Sequence, residues 1–192
     1  MTPVTRESLL PTAAFVAQRR QIEAQVLAAK AARRLTVGEH FTFLFENRLT
    51  VQWQVQEMCR VEHITDDAAI QHELDTYNAI LGGPDEIGAT LLIEYTDPAQ
   101  REVMLARLLG LQEHVFLDVG GERVRAVFDA EQWNERRISS VQFCRFRFSP
   151  AARAAMFDLS RSAQLTIDHP ACTASAALPG AVRGALCEDL TG

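Results

Sequence analysis

The sequence predicts an α+β fold: an antiparallel or mixed β-sheet of about five to six strands, with helices packed mainly on one face. Three observations lead there. Residues 12–34 contain neither Gly nor Pro and are dense in Ala, Gln, Glu and Arg, the composition of a long helix. Period-two alternation of apolar and polar residues marks strands near 40–46, 89–95, 114–119, 122–128, 139–148 and 164–168. In the second half several strands follow one another with no helix between them, which favours antiparallel pairing over βαβ crossovers.

The elements follow in order. Phe15, Ile22, Val26 and Ala29 recur at helical spacing in the first helix, and Lys30, Arg33 and Arg34 fall in its expected last turn, where cations complement the helix dipole. Gly38 breaks it. Phe41, Phe43 and Phe45 then alternate with Thr42, Leu44 and Glu46, as in a strand with one buried face. The segment 49–56 also alternates, which would suit a strand. A helix over 47–64 is preferred, because residues 57–63 lack strand character and no breaker precedes them. Such a helix places Asn47, Thr50, Val51, Gln54, Met58 and Val61 on one face, with Leu49, Trp53, Gln56 and Arg60 roughly opposite.

Thr65-Asp66-Asp67 starts a further helix with Ile70, Leu74, Tyr77 and Leu81 as its stripe, ended by Gly82-Gly83-Pro84. Asp97-Pro98 and Ser149-Pro150 each combine a capping residue with proline at the first helical position. Gly120-Gly121 is a two-residue hairpin turn. A last helix runs over 179–190. With no linker or repeat, the chain reads as one domain over 1–192: the N-terminal helix, a central strand–helix–helix unit over 40–81, a strand–helix–hairpin–strand unit over 89–148 and a helix–strand–helix unit over 150–190.

Composition narrows the possible functions. The 192 residues are 47% hydrophobic and 23% charged, with a net charge of −6, so no global field draws the protein to nucleic acid or anionic lipid. Cys59, Cys144, Cys172 and Cys187 are dispersed, with no Cys-x-x-Cys pair, and read as free thiols rather than zinc ligands or a disulfide framework. No secretory signal and no apolar run of about 20 residues is present, so the expected location is the cytoplasm. The Gly-rich nucleotide-binding loops, the nucleophile elbow and the His-Glu-x-x-His and Glu-x-x-His metal motifs are all missing.

The chemistry-bearing residues concentrate between Phe41 and Asn78. Gln54 is expected on a buried helix face below Asn47 and Thr50, and a buried amide needs partners. Glu57, Arg60, Glu62 and His63 follow it. These groups either satisfy one another, with Glu57 pairing with Arg60, or line a pocket in which Gln54, Glu57 and Glu62 offer oxygens to a metal or polar ligand. Glu46 and Glu94 share strand faces with leucines and need neutralising, for which Arg145 and Arg147 are natural partners. Tyr77, Asn78 and His169 complete the candidate pocket set, and His169 could carry protons. No metal ligand set is assigned and no cofactor is implied. The cluster Arg19, Arg20, Lys30, Arg33 and Arg34 reads as a solvated helix face.

These residues also carry a resemblance. Phe45-Glu46-Asn47, Thr50, Gln54, Glu57-Met58, Arg60 and Glu62, with Tyr77-Asn78, Ala89-Thr90 through Glu94, Ser140-Val141 and Asp168-His169-Pro170, resemble the pattern of a bacterial family, domain-of-unknown-function family 3501, over nearly the whole chain. The family has no established activity. Its genes are often found near those for rubrerythrin-like and iron–sulfur oxidoreductase proteins. The resemblance therefore implies an accessory protein, a possible homo-oligomer, that meets a redox partner of that kind. The residues themselves leave a second reading open: a small-molecule- or metal-binding enzyme whose carboxylate, amide and arginine groups surround the 47–64 helix.

Overall fold

The computed structural model describes residues 1–129 and 132–191. Its elements run α1 (Thr12–Ala31), β1 (Arg34–Val37), β2 (Phe41–Phe45), α2 (Arg48–Val61), α3 (Asp67–Asn78), β3 (Glu86–Ile93), α4 (Pro98–Arg107), β4 (Val115–Val119), β5 (Glu122–Phe128), β6 (Val141–Arg147), α5 (Pro150–Phe157), β7 (Ala163–His169), β8 (Cys172–Ala177) and α6 (Gly180–Thr191). The strands form one eight-stranded antiparallel sheet in the order β1-β2-β3-β6-β5-β4-β7-β8. Its two ends, β1 and β8, curl back to within 8 Å of each other between Cα atoms without sharing a ladder. The sheet is a nearly closed barrel.

The expected sheet of five to six strands with helices mainly on one face is thereby corrected. The two strands that sequence patterning missed are the two at the seam. Strand β1 starts at the last residue of the predicted 12–34 helix and fills the unassigned stretch before Gly38. The helix stops at Ala31, Arg33 and Arg34 lie outside it, and Gly38, at φ +63°, turns β1 into β2 rather than ending a helix. Strand β8 reads Cys-Thr-Ala-Ser-Ala-Ala, a run of small side chains with little intrinsic strand preference. It forms because β7 offers it a complete ladder, from Gln164 opposite Ala177 to His169 opposite Cys172.

Helices cover both sides of the curved sheet. Phe41, Phe43 and Phe45 of β2 point inward with Ile87, Ala89 and Leu91 of β3 and Cys144 and Phe146 of β6. Leu105 of α4 and Leu108 just after it, Ala152, Ala155 and Met156 of α5, and Val182, Leu186 and Leu190 of α6 join that same interior cluster. Helices α1, α2 and α3 instead build two separate clusters: Val51, Val55, Ile70 and Leu74 in one, and Phe15, Val26 and Trp53 in the other. With both its faces in contact, α2 reads poorly as an amphipathic helix, which is why its alternation suggested a strand. The cap decides the matter. The Asn47 side chain accepts from the Thr50 amide, and the Thr50 hydroxyl accepts from the Asn47 amide.

Three polar or backbone devices hold the layers. Arg33, just before β1, makes a two-pronged contact with Asp189 of α6, at 2.9 and 3.0 Å, with both side chains buried. Arg183 of α6 is buried without a carboxylate. It donates to the carbonyls of Ala155, Met156, Asp158 and Arg161, satisfying the C-terminal end of α5. Gly88 of β3 lets the α3–β3 connection cross the outside of the sheet, since a Cβ there would sit 1.8 Å from the Ile80 carbonyl oxygen.

Two outcomes follow for stability. Replacing Arg33 with Met alone should cost about 3–5 kcal/mol in urea unfolding, because Asp189 is left buried and unpaired; the double replacement with Asp189→Leu should recover much of that loss. Gly88→Ala should destabilise by roughly 2 kcal/mol or more, since the collision is with backbone rather than a movable side chain.

Candidate functional site

The outer face of β2, β3 and β6 is the floor on which α1–α3 rest. Leu44 of β2 faces Thr90 of β3, and Thr90 faces Phe143 of β6, so these three side chains share one outward row. Beside them opens a cleft of about 260 Å³, lined by Leu44, Glu46, Thr90 and Phe143 from the sheet, Lys30 from α1, Thr50, Val51 and Gln54 from α2, Tyr77 from α3, and Ile80.

Glu46 is the most firmly held of these groups. The Thr50 hydroxyl donates to its Oε2 at 2.6 Å and the Thr90 hydroxyl donates to its Oε1 at 3.0 Å. It sits one residue before the α2 N-cap, where the helix dipole favours a negative charge. Gln54 reaches the Tyr77 hydroxyl only at 3.5 Å, a contact at the outer limit of a hydrogen bond, so both groups retain capacity to bind. Lys30 lines the same space and lies more than 4 Å from any carboxylate oxygen among the described residues, Glu46 included.

Of the candidate residues, Glu46, Gln54 and Tyr77 therefore converge. The others lie outside the cleft, and most of them make structural contacts. Asn47 is the α2 cap. Asn78 both donates to and accepts from the Val4 backbone at 2.8 Å, tying the N-terminal segment to α3. Glu57 pairs with Arg60 on its own helix and with Arg19 of α1, whose guanidinium also lies 5.2 Å from the Trp53 ring centre. Glu62 is the exposed residue that ends α2. The buried amide of α2 is Gln56, which donates to the Leu10 carbonyl, not Gln54.

Glu94 lies past the end of β3, accepting from the Thr42 hydroxyl at 2.6 Å with Arg34 at 3.7 Å. The expected partners of the two glutamates are taken elsewhere: Arg145 pairs with Asp129, and Arg147 with Glu86. His169 is buried on the inner face of β7. Its Nε2 faces the Leu109 carbonyl at 3.0 Å and its Nδ1 accepts from the Ala171 amide, so both ring nitrogens are engaged by backbone. Among the described residues, no three His, Cys, Asp or Glu side chains are grouped to hold a metal ion. All four cysteines are free, and burial pushes their thiols up, away from the reactive thiolate form. Among the described residues, no helix is long and apolar enough to cross a membrane.

Sequence reasoning missed Lys30, Thr50 and Thr90 as lining residues, having placed Lys30 on a solvated helix face. A compositional signal was present. Lys30 is the one lysine in a chain that otherwise uses 18 arginines.

The Glu57 network makes a pH prediction. Hydrogen bonds from Arg60, then Arg19, hold the Glu57 carboxyl down to about 2, against an ordinary 4.5. A lowered folded-state value contributes stability that is complete above the unfolded value and is lost as pH falls from about 4.5 towards 2. Glu57→Gln should therefore cost about 1–3 kcal/mol at pH 7 and flatten the fall of Tm with acidification in that window. An acid-unfolding profile unchanged by the substitution would contradict the pairing.

The comparisons with known proteins follow the fold closely. A crystal structure described as a novel protein of unknown function from Burkholderia pseudomallei K96243 is 35% identical, with a TM-score of 0.91, covering 98% of this chain and 100% of its own. No curated protein matches the chain. The family described as protein of unknown function (DUF3501) matches residues 3–190. The chain belongs to the DUF3501 family.

Proposed function

We infer that this protein binds a small polar molecule in the cleft between α1–α3 and the outer face of the barrel. One observation carries the reading: Lys30, Gln54 and Tyr77 from three separate helices and Glu46 from the β2–α2 connection meet around a single space large enough for a metabolite-sized ligand. Structural polar groups normally satisfy one another. Here Gln54 and Tyr77 are barely in contact, and among the described residues Lys30 has no carboxylate within 4 Å. Mixed lining of this kind, an apolar floor with a few convergent polar groups, is what small-molecule sites use for affinity and orientation.

The cation in the cleft is a lysine and the arginines expected there lie outside it, so the carboxylate–amide–arginine pocket takes the form of a carboxylate–amide–ammonium cleft. Elemental analysis of protein purified without chelator would test the metal-binding form of this reading. An accessory role beside an iron–sulfur oxidoreductase or rubrerythrin-like partner, implied by the family resemblance, is a separate property that copurification would read.

The test is a fragment screen on the full chain by two-dimensional NMR. Hits should cluster on the amide signals of Thr50, Gln54, Tyr77 and Thr90. Leu44→Trp, which fills the cleft from a half-buried strand position, should abolish those shifts while leaving the spectrum folded. Hits that map elsewhere, or that survive Leu44→Trp unchanged, would refute the cleft as the ligand site.

A further inference from the structure

The cleft holds one cation and one carboxylate that do not pair with each other. An unpaired ammonium and carboxylate lining a single space of about 260 Å³ would ordinarily collapse into an ion pair, because each gains from the other as the dielectric falls. Here Glu46 is held in place by the Thr50 and Thr90 hydroxyls at 2.6 and 3.0 Å, and Thr50 is itself locked into the α2 cap with Asn47. Two hydroxyl donors leave a carboxylate with lone pairs to spare, since its two oxygens offer about four acceptor sites. Lys30 stands on α1, across the cleft, with three N–H donors and more than 4 Å separating it from any carboxylate oxygen among the described residues.

The choice of lysine bears on the ligand. Everywhere else this chain meets the need for a cation with arginine, whose planar fork pairs with two oxygens at once, as at Arg33 with Asp189 and Arg19 with Glu57. A guanidinium in place of Lys30 would bring a larger planar head into the cleft. A compact ammonium on a flexible stem leaves the space open and can follow an anion placed within it.

Resting on the reading of the cleft as a ligand site, we propose that its ligand is a small zwitterion carrying both an amino and a carboxylate group, of which a free amino acid is the simplest case. The ligand's ammonium donates to Glu46, its carboxylate accepts from Lys30, and Gln54 and Tyr77 complete the polar contacts. Leu44, Val51, Ile80 and Phe143 take the aliphatic part.

The test uses the full chain and the 20 standard L-amino acids, β-alanine and γ-aminobutyrate at millimolar concentration, read by thermal shift and by the cleft amide signals. At least one should raise Tm. Its N-acetyl derivative, which lacks the ammonium, and its C-terminal amide, which lacks the carboxylate, should each bind about 10-fold or more weakly. Lys30→Met removes a half-exposed side chain with no carboxylate partner among the described residues and should fold normally; in it, the preference for acid over amide should vanish while the preference for amine over N-acetyl remains. Glu46→Gln should show the reverse, and if it fails to fold, the Lys30→Met comparison decides alone. Equal binding of a parent and its amide overturns the proposal. So does a panel in which no amino acid moves Tm or the cleft signals. If uncharged fragments still bind the cleft in that case, the ligand site stands without the zwitterion; if nothing binds there, both fall together.

Discussion

The contact between Arg33 and Asp189 closes this protein where backbone hydrogen bonds cannot. Strands β1 and β8 are the two ends of the sheet order and share no ladder, so the barrel lacks the final row of N–H···O bonds that would seal it. What spans the gap is side-chain chemistry. Arg33 at the entry to β1 is gripped by Asp189 of α6, and Gly38 brings the β1–β2 turn so near β8 that a Cβ there would lie 3.0 Å from the Ala174 Cβ. Exposed strand edges invite pairing with other chains, and bringing two short edges face to face blunts both at once. The same closure lets α4, α5 and α6 bury their apolar faces in one interior cluster with the phenylalanines of β2.

Curvature also creates the site. A flat sheet with helices laid on one face would bury its outward row completely. A curved sheet carrying α1–α3 on its convex side leaves a wedge of space where the helix layer departs from the strands, and that wedge is the cleft. Gly88 sets how close the layer can come, because the chain from α3 into β3 passes with the Ile80 carbonyl where a Cβ would otherwise stand. The Asn47–Thr50 cap then serves two purposes. It starts α2, and it fixes the hydroxyl that holds Glu46. Stability and cleft geometry thus share residues, so substitutions at Glu46 or Thr50 affect both, whereas Lys30 takes no part in that cap.

Local chemistry was legible wherever a few adjacent residues decide the outcome. Asp66, Asp97 and Ser149 cap the helices they were expected to cap, Gly120 and Gly121 take the positive φ values of a tight hairpin, and the inward and outward sides of β6 follow its alternation. The helix at 48–61 was recoverable against its own alternation. In the site, Glu46, Gln54 and Tyr77 stood out because polar groups beside apolar stripes demand partners. Glu57, Asn78 and His169 stood out for the same reason and found theirs in Arg60 and Arg19, in the Val4 backbone, and in the Leu109 carbonyl and Ala171 amide.

By itself, the sequence determined the helix starts, the tight turns, most strands and the presence of a polar-rich segment between Phe41 and Asn78, because these depend on interactions spanning a few residues. Only the tertiary structure decided that β1 and β8 exist, that the sheet curls until they meet, and that Lys30 lines the same cleft as Glu46. Small side chains such as those of β8 carry almost no local preference, and an ammonium on a helix has no local signature of what it faces. In both cases the outcome is set by residues far away in the chain: the β7 ladder for β8, and the strands and helices that line the cleft around Lys30.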